Sequence, residues 1–280
     1  MTITVLTSAS GSPGVTTTAL GLTLQWPDSC LLVDGDYQQA VLTGYLQGHY
    51  VTSNGMVHVI NAARISPDVE EAAWRQSIPL PDDEEEGRRR LLLPGLKTGQ
   101  AGNALYQSWP AVAGALRKLS DGAGIDVVVD YGRLTWQGVH PALIDVATHV
   151  LLMTRPTMRS AGAAFWAAQR LVEQAHDLGT TSKMGLLLRR PTLVGAALTA
   201  SGREEHGYSD GEIEQFLPLP VRGSVVHDPV NARFLSEGGE RGPKFTKTAY
   251  ATSLTHLAQH LKPRVKHAAG PTTEGDTADE

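Results

Sequence analysis

The chain has 280 residues, with 24 basic against 29 acidic side chains, a formal net charge of −5, 41% hydrophobic residues and a single cysteine, Cys30. That length holds one large α/β core, and the near balance of charge leaves no global field for nucleic acid or an anionic membrane. One cysteine excludes an intramolecular disulfide framework and any four-thiolate metal or cluster site within a chain, and with no basic-then-apolar leader and no span-length apolar run a cytoplasmic location is expected.

The first apolar run, 3–7, reads as a buried strand, and residues from Val15 to about Trp26 follow a helical pattern. Between them lies Ser8-Ala9-Ser10-Gly11-Ser12-Pro13-Gly14-Val15-Thr16-Thr17, the setting of a phosphate-binding loop. In such a loop backbone N–H groups and the helix N-terminus cradle phosphate, a lysine neutralises it and a hydroxyl holds magnesium. Against G-x-x-x-x-G-K-[ST], the first glycine falls on Ala9, the second on Gly14, the lysine on Val15 and the hydroxyl on Thr16. The cradle residues Gly11, Ser12, Gly14 and Thr17 remain, and the cation is gone. A charge-assisted hydrogen bond contributes roughly 1.5–3 kcal/mol, so the loss alone weakens phosphate binding by about ten- to a hundredfold.

Further apolar runs at 30–34, 56–60, 90–93, 125–130, 149–154, 183–188 and 221–226 are predicted strands, and 103–120, 137–146, 158–178 and 246–261 are predicted helices. Their alternation predicts a doubly wound, mostly parallel β-sheet flanked by helices, in one domain over 1–262, with ligands beyond the carboxyl ends of the strands. Residues 79–90, acidic then basic, read as a charged mobile loop, and 263–280, rich in Pro, Gly, Thr and acids, as a disordered tail. The strand at 30–34 ends in Asp34-Gly35-Asp36 and that at 125–130 in Asp130-Tyr131-Gly132-Arg133. Both carboxylate groups are expected on the loop's side of the sheet, where Thr16, Asp34 and Asp130 would hold magnesium and Asp36 would orient a water. Arg133 and Arg155, each just past a strand, are candidates to replace the missing cation, because a guanidinium grips phosphate bidentately.

On these residues the chain resembles the ParA/MinD family of deviant Walker ATPases over about residues 2–262. The family loop Gly-Lys-Gly-Gly-Val-Gly-Lys-Thr-Thr falls on residues 9–17 without either lysine; Asp-x-Asp matches Asp34-Gly35-Asp36, and the Walker B strand matches Asp130-Tyr131-Gly132-Arg133. Ala147 to Pro156 echoes the family's Ala-Asp-x-Val-x-x-Val-Thr-x-Pro, and Val221 to Asp228 the stretch lining the adenine pocket, which adds His227 and Asp228 to the nucleotide-binding candidates. The resemblance implies a P-loop NTPase fold, an ATP and Mg site, and a homodimer in which a lysine at Ser10 would reach the partner's nucleotide and one at Val15 the chain's own. Serine and valine do neither.

Two functions follow from the resemblance. One is a positioning or scaffolding protein with a degenerate nucleotide site, weak or no hydrolysis and protein partners, serving a Tad-type pilus or secretion assembly as TadZ/CpaE-like proteins do. The alternative is a slow Mg-dependent ATPase in chromosome or plasmid partition or division positioning. The tail after Leu261 lacks the large apolar residues of an amphipathic membrane anchor, and Lys244, Lys247, Lys262, Arg264 and Lys266 are the few candidates for nonspecific DNA contact. Metal-cluster reductases of the same fold need bridging cysteines after the Walker B region, and there are none.

Overall fold

Strand β1 (Ile3–Ser8) is buried along its whole length, as a strand must be when helices cover both faces of its sheet. The computed structural model describes residues 1–10, 14–36, 40–48, 55–66, 68–81, 87–96, 102–191, 207–239 and 245–262. Around β1 stand β2 (Cys30–Asp34), β3 (Ile78–Pro79), β4 (Arg90–Leu93), β5 (Asp126–Arg133), β6 (His149–Thr154), β7 (Met184–Pro191) and β8 (Val221–His227), in the order β3-β4-β2-β5-β1-β6-β7-β8. All pairings are parallel except β3 with β4 at the edge. The doubly wound, mostly parallel fold expected from the alternation is therefore the one found.

Period-two alternation sends side chains to two cores. Val5, Leu31, Val33, Val127 and Val129 face a layer formed by α2 (Met56–Ile65), α3 (Glu70–Gln76), α4 (Gly102–Ala123), α5 (Pro141–Val146), α6 (Met158–Asp177) and α7 (Asp210–Phe216). Leu6, Leu32, Val128 and Leu187 face α1 (Val15–Leu24), a π-helical turn at Val41–Tyr45, α8 (Pro229–Glu237) and α9 (Ala249–Leu261). Trp109, Val112, Leu116 and Leu119 of α4 are buried at three- and four-residue steps, as their spacing predicts.

One expectation is corrected: 56–60 is the start of helix α2 and not a strand. Met56, Val59 and Ile60 are buried while Val57 and His58 are exposed, a helical period of three and four, with Ala62 and Ala63 extending the helix. In the charged segment 79–90, Pro79 lies in edge strand β3, where its missing N–H is tolerated. Arg90 at the other end is buried, donating to the carbonyls of Trp26 and Asp28; residues 82–86 lie outside the described residues, as does 263–280.

Away from the loop, at the amino ends of the strands, Asp126 Oδ1 accepts from Thr2 N (2.6 Å) and Oδ2 from Trp26 Nε1 (2.8 Å), with Lys262 Nζ 3.3 Å from Oδ2. Lys262 is also paired with Asp28, so one of the five basic candidates for DNA contact is engaged within the fold. Lys247 is exposed, and Lys244, Arg264 and Lys266 lie outside the described residues. Among the described residues no helix is long and apolar enough to cross a membrane.

Candidate functional site

Strand register brings the carboxylates together. Asp34 pairs directly with Asp130 across β2 and β5, and Leu6 of β1 pairs with Asp130 on the other side. In-register neighbours on parallel strands lie about 4.8 Å apart, so the two acids stand at the same level, Asp34 closing β2 and Asp130 inside β5 before its last residues Tyr131, Gly132 and Arg133. Both are fully buried. Asp130 Oδ1 accepts from the Gly132 N–H at 3.0 Å, but Asp130 Oδ2 and both oxygens of Asp34 complete no hydrogen bond of ordinary geometry.

Electrostatics follow from that arrangement. Burial, and then the charges of Asp130 and Asp36, push the Asp34 carboxyl well above the usual carboxylate range, against the backbone N–H groups of Asp36 and Gly95. Burial likewise pushes Asp130 up to about 6, opposed by the Thr16 hydroxyl and the Gly132 N–H. Asp36 is drawn into the same cluster: its carboxyl lies against the bare α-carbon of Gly132, whose φ of +66° and whose contact with Asp36 Cγ leave no room for a side chain.

These residues fit a divalent ion. Buried polar atoms are normally satisfied, and three carboxylate oxygens here are not. Among the described residues no group of three or more His, Cys, Asp or Glu side chains forms a closed metal cage. Mg²⁺ does not require one, since it binds through one or two carboxylates with waters and phosphate oxygens completing the octahedron.

On the other side of the loop, Gly14 takes φ 86° and ψ 41° immediately before α1. The helix starts with no side-chain cap and no acid in its first turn, so its leading N–H groups face the loop. Thr17 Oγ1 donates to Gly14 O (3.0 Å), and the Tyr250 hydroxyl reaches Thr17 O (3.4 Å) from α9. Val15, where the loop lysine would stand, is buried in the core with Leu6, Ala19 and Leu187. Its apolar side chain stabilises the start of α1 and offers nothing to an anion. Gly11 and Ser12 lie outside the described residues.

The two arginines singled out in sequence occupy different surroundings. Arg133 is exposed, in register with Ser8 at the end of β1. Arg155 is exposed just past β6, close enough for its charge to act on both Arg189 and His227. His227, at the end of β8, is held below its ordinary value by burial and then by Arg189 and Arg155, with Asp228 opposing. Asp228 serves as the N-cap of α8: Oδ1 accepts from Asn231 N (3.0 Å) and Oδ2 from Asn231 Nδ2 (2.6 Å).

Sequence reasoning missed Arg189. It is 9% exposed, on β7, and its guanidinium fills the space that a Cβ at Gly14 would need, with Cζ 3.1 Å from that point. Its neighbour Arg190 points the other way and pairs with Asp210 while donating to Tyr208 O. The one available signal was the twin arginine closing Leu186-Leu187-Leu188, a position at the carboxyl end of a parallel strand.

No protein-family model matches the chain, and no curated protein matches it by sequence. Solved structures do. MinD in the MinC:MinD cell division complex of Aquifex aeolicus superposes with TM-score 0.65 at 16% identity, over 93% of this chain and 95% of that one. A ParA family ATPase from Chlorobium tepidum gives 0.63 at 14%, over 92% and 99%. The septum site-determining protein MinD of Pyrococcus horikoshii, complexed with Mg-ADP, gives 0.55 at 15%, over 93% and 95%.

Proposed function

Starting from the fold that this chain shares with the ParA and MinD ATPases, we propose that it is a positioning or scaffolding protein whose cleft takes Mg-ATP weakly and hydrolyses it slowly or not at all. One observation carries the reading: the buried Asp34–Asp130 pair, with three oxygens that complete no hydrogen bond of ordinary geometry, stands beside Thr16 at a loop that has Ser10 and Val15 where the resemblance expects lysines.

In this reading Thr16, Asp34 and Asp130 hold magnesium, which when bound supplies the positive charge that lets two carboxylates and a polyphosphate share a small space. Gly14, Val15, Thr16 and Thr17 offer backbone N–H groups to phosphate, with Gly11 and Ser12 completing the loop. Arg133 and Arg155 flank the phosphate end, and His227 and Asp228 border the base. Asp36 is the group that would orient a water, and without loop cations a transition state carrying extra negative charge is poorly stabilised.

The MinC:MinD complex supports a protein partner for a molecule of this fold, and the Mg-ADP complex of MinD supports the ligand. Recruitment to a Tad-type pilus or secretion assembly, in the manner of the lysine-poor TadZ/CpaE proteins, is the role in which a cleft that binds without turnover suffices; a homodimer is part of the same reading. The second reading, a slow Mg-ATPase in partition or division positioning, draws on the closeness of Asp36 to Gly132 and the carboxylate pair. Phosphate release at saturating Mg-ATP decides between them. Background rates support the scaffold, and turnover that disappears in Asp36→Ala overturns it.

A further inference from the structure

We propose that the outer face of α6 is a self-association surface, on which a second copy of this chain lays its own α6 antiparallel about a two-fold axis at Trp166. The inference goes beyond the nucleotide reading and does not rest on it. The homodimer of that reading joins two copies at the loop, whereas this face runs along the flank of the sheet.

Helix α6 joins the parallel strands β6 and β7 and so runs back along the sheet, with Ala161, Ala164, Ala168, Leu171 and Ala175 buried beneath it. Trp166 stands near the middle of the opposite face, 43% exposed, and residues three, four and seven positions to either side share that face. Tryptophan is the kind of residue enriched at the centres of interfaces, because a large apolar ring leaves water while its N–H keeps a polar handle. Met158, Phe165 and Phe216 are exposed along one edge of the same face, with the two phenylalanine rings 5.7 Å apart between α6 and α7.

The order of residues about Trp166 selects the occupant. Four and three positions before it come Gly162 and Ala163; three and four after it come Gln169 and Arg170. An antiparallel copy centred on Trp166 therefore sets the long side chains of each helix against the small residues of the other and brings the two indoles together at the axis. Seven positions out, exposed Arg159 of each copy meets exposed Glu173 of the other, giving two symmetric ion pairs. The contact of Glu173 Oε2 with Arg170 Nη1 (3.4 Å) does not exclude this, since a carboxylate accepts from more than one guanidinium. A parallel copy would set Arg159 against Arg159, Glu173 against Glu173 and small residues against small. The face is thus complementary to itself in the one sense that a two-fold contact requires, residue i meeting j while j meets i. Gly162 fits the same contact: glycine weakens a helix interior relative to alanine, and among the described residues a methyl group added there would touch nothing within 4 Å, whereas Arg170 of a second copy needs that room.

The test is sedimentation equilibrium of the full chain at low ionic strength, in EDTA and without nucleotide so that the outcome is independent of the nucleotide reading, at concentrations up to about 1 mM. The proteins compared are the wild type, Arg159→Glu, Glu173→Arg, the double variant carrying both changes, and Gly162→Gln, with thermal melting to establish that each is folded. A reversible wild-type dimer is expected. Each single reversal replaces two ion pairs by two like-charged pairs and should raise the dissociation constant roughly tenfold, while the double variant exchanges the signs and should return it close to the wild-type value. Gly162→Gln fills the room opposite Arg170 and should abolish the dimer without lowering the melting temperature. A wild type that stays monomeric overturns the proposal. So does a dimer indifferent to the single reversals or to Gly162→Gln, which would put the contact elsewhere, and so does a double variant as weak as the single ones, which would remove the antiparallel register.

Discussion

Neutralising Asp130 should stabilise the metal-free protein. The carboxyl is fully buried and its pKa is pushed from 3.8 to about 6, about two units, which at 1.36 kcal/mol per unit is a penalty of ~3 kcal/mol for carrying the charge at neutral pH. Asp130→Asn keeps the shape, and its carbonyl oxygen can still accept from the Gly132 N–H, so most of that penalty should be recovered. For domains of 150–250 residues each kcal/mol shifts Tm by roughly 2–4 °C, so a rise of several degrees is expected. Proton counting gives the pH dependence. Between the unfolded value near 3.9 and about 6, folded Asp130 binds more protons than unfolded, so its contribution to stability falls as pH rises through that window and stays low above it. Asn does not titrate. Urea denaturation in EDTA should therefore show the variant ahead by up to ~3 kcal/mol near pH 7.5 and level with the wild type near pH 4. His140, His149 and His227, all lowered first by burial, cancel in the difference, whereas Asp34, raised by burial and then by the charge of Asp130, is eased in the variant and moves the difference the same way. A variant no more stable than the wild type at neutral pH, or a difference that ignores pH, would refute the account of Asp130 as a charge held for a cation.

Other consequences can be checked independently. Gly14→Ala places a side chain at φ +86° and against the Arg189 guanidinium; left-handed strain alone costs roughly 1–2 kcal/mol, visible as a lower urea midpoint. Asp126→Ala removes the shared acceptor of Thr2 N and Trp26 Nε1 and one of the two carboxylates beside Lys262, and each buried donor left without an acceptor costs about 1–3 kcal/mol, readable by the same denaturation. Cys30 is fully buried and its thiol pKa is pushed up by burial, so a thiol-specific reagent should label the native protein negligibly and the urea-unfolded protein completely.

Local patterns carry much of the fold. The alternation of apolar runs with helical segments specifies a parallel sheet, and the position of Asp34 and Asp130 near strand ends places both acids at the loop, because a parallel sheet sends all such ends to one side. The start of Met56–Ile65 reads as a strand because Val57, Val59 and Ile60 are β-branched residues clustered in five positions; propensity there yields to the burial of Met56, Val59 and Ile60 along one helical face. Arg90 reads as part of a solvated charged segment because nothing nearby in sequence announces the Trp26 and Asp28 carbonyls that hold it. Arg189 escapes notice for the same reason on a larger scale: Gly14 is far away in the chain, and only the sheet order β1-β6-β7 brings the two near each other. Arg133 and Arg155 are accessible to sequence reasoning through position after a strand, a criterion that Arg189 meets equally but that does not reveal which way a side chain turns.

At the centre of the proposed function is a cleft that binds a magnesium nucleotide without consuming it. The most direct test is to hold the protein at saturating Mg-ATP labelled at the terminal phosphate, follow the label over hours, and measure binding at equilibrium alongside. Saturable binding of ATP that stays intact is the expected result; ADP formed at a rate that Asp36→Ala abolishes, or no binding of ATP at equilibrium, would contradict it.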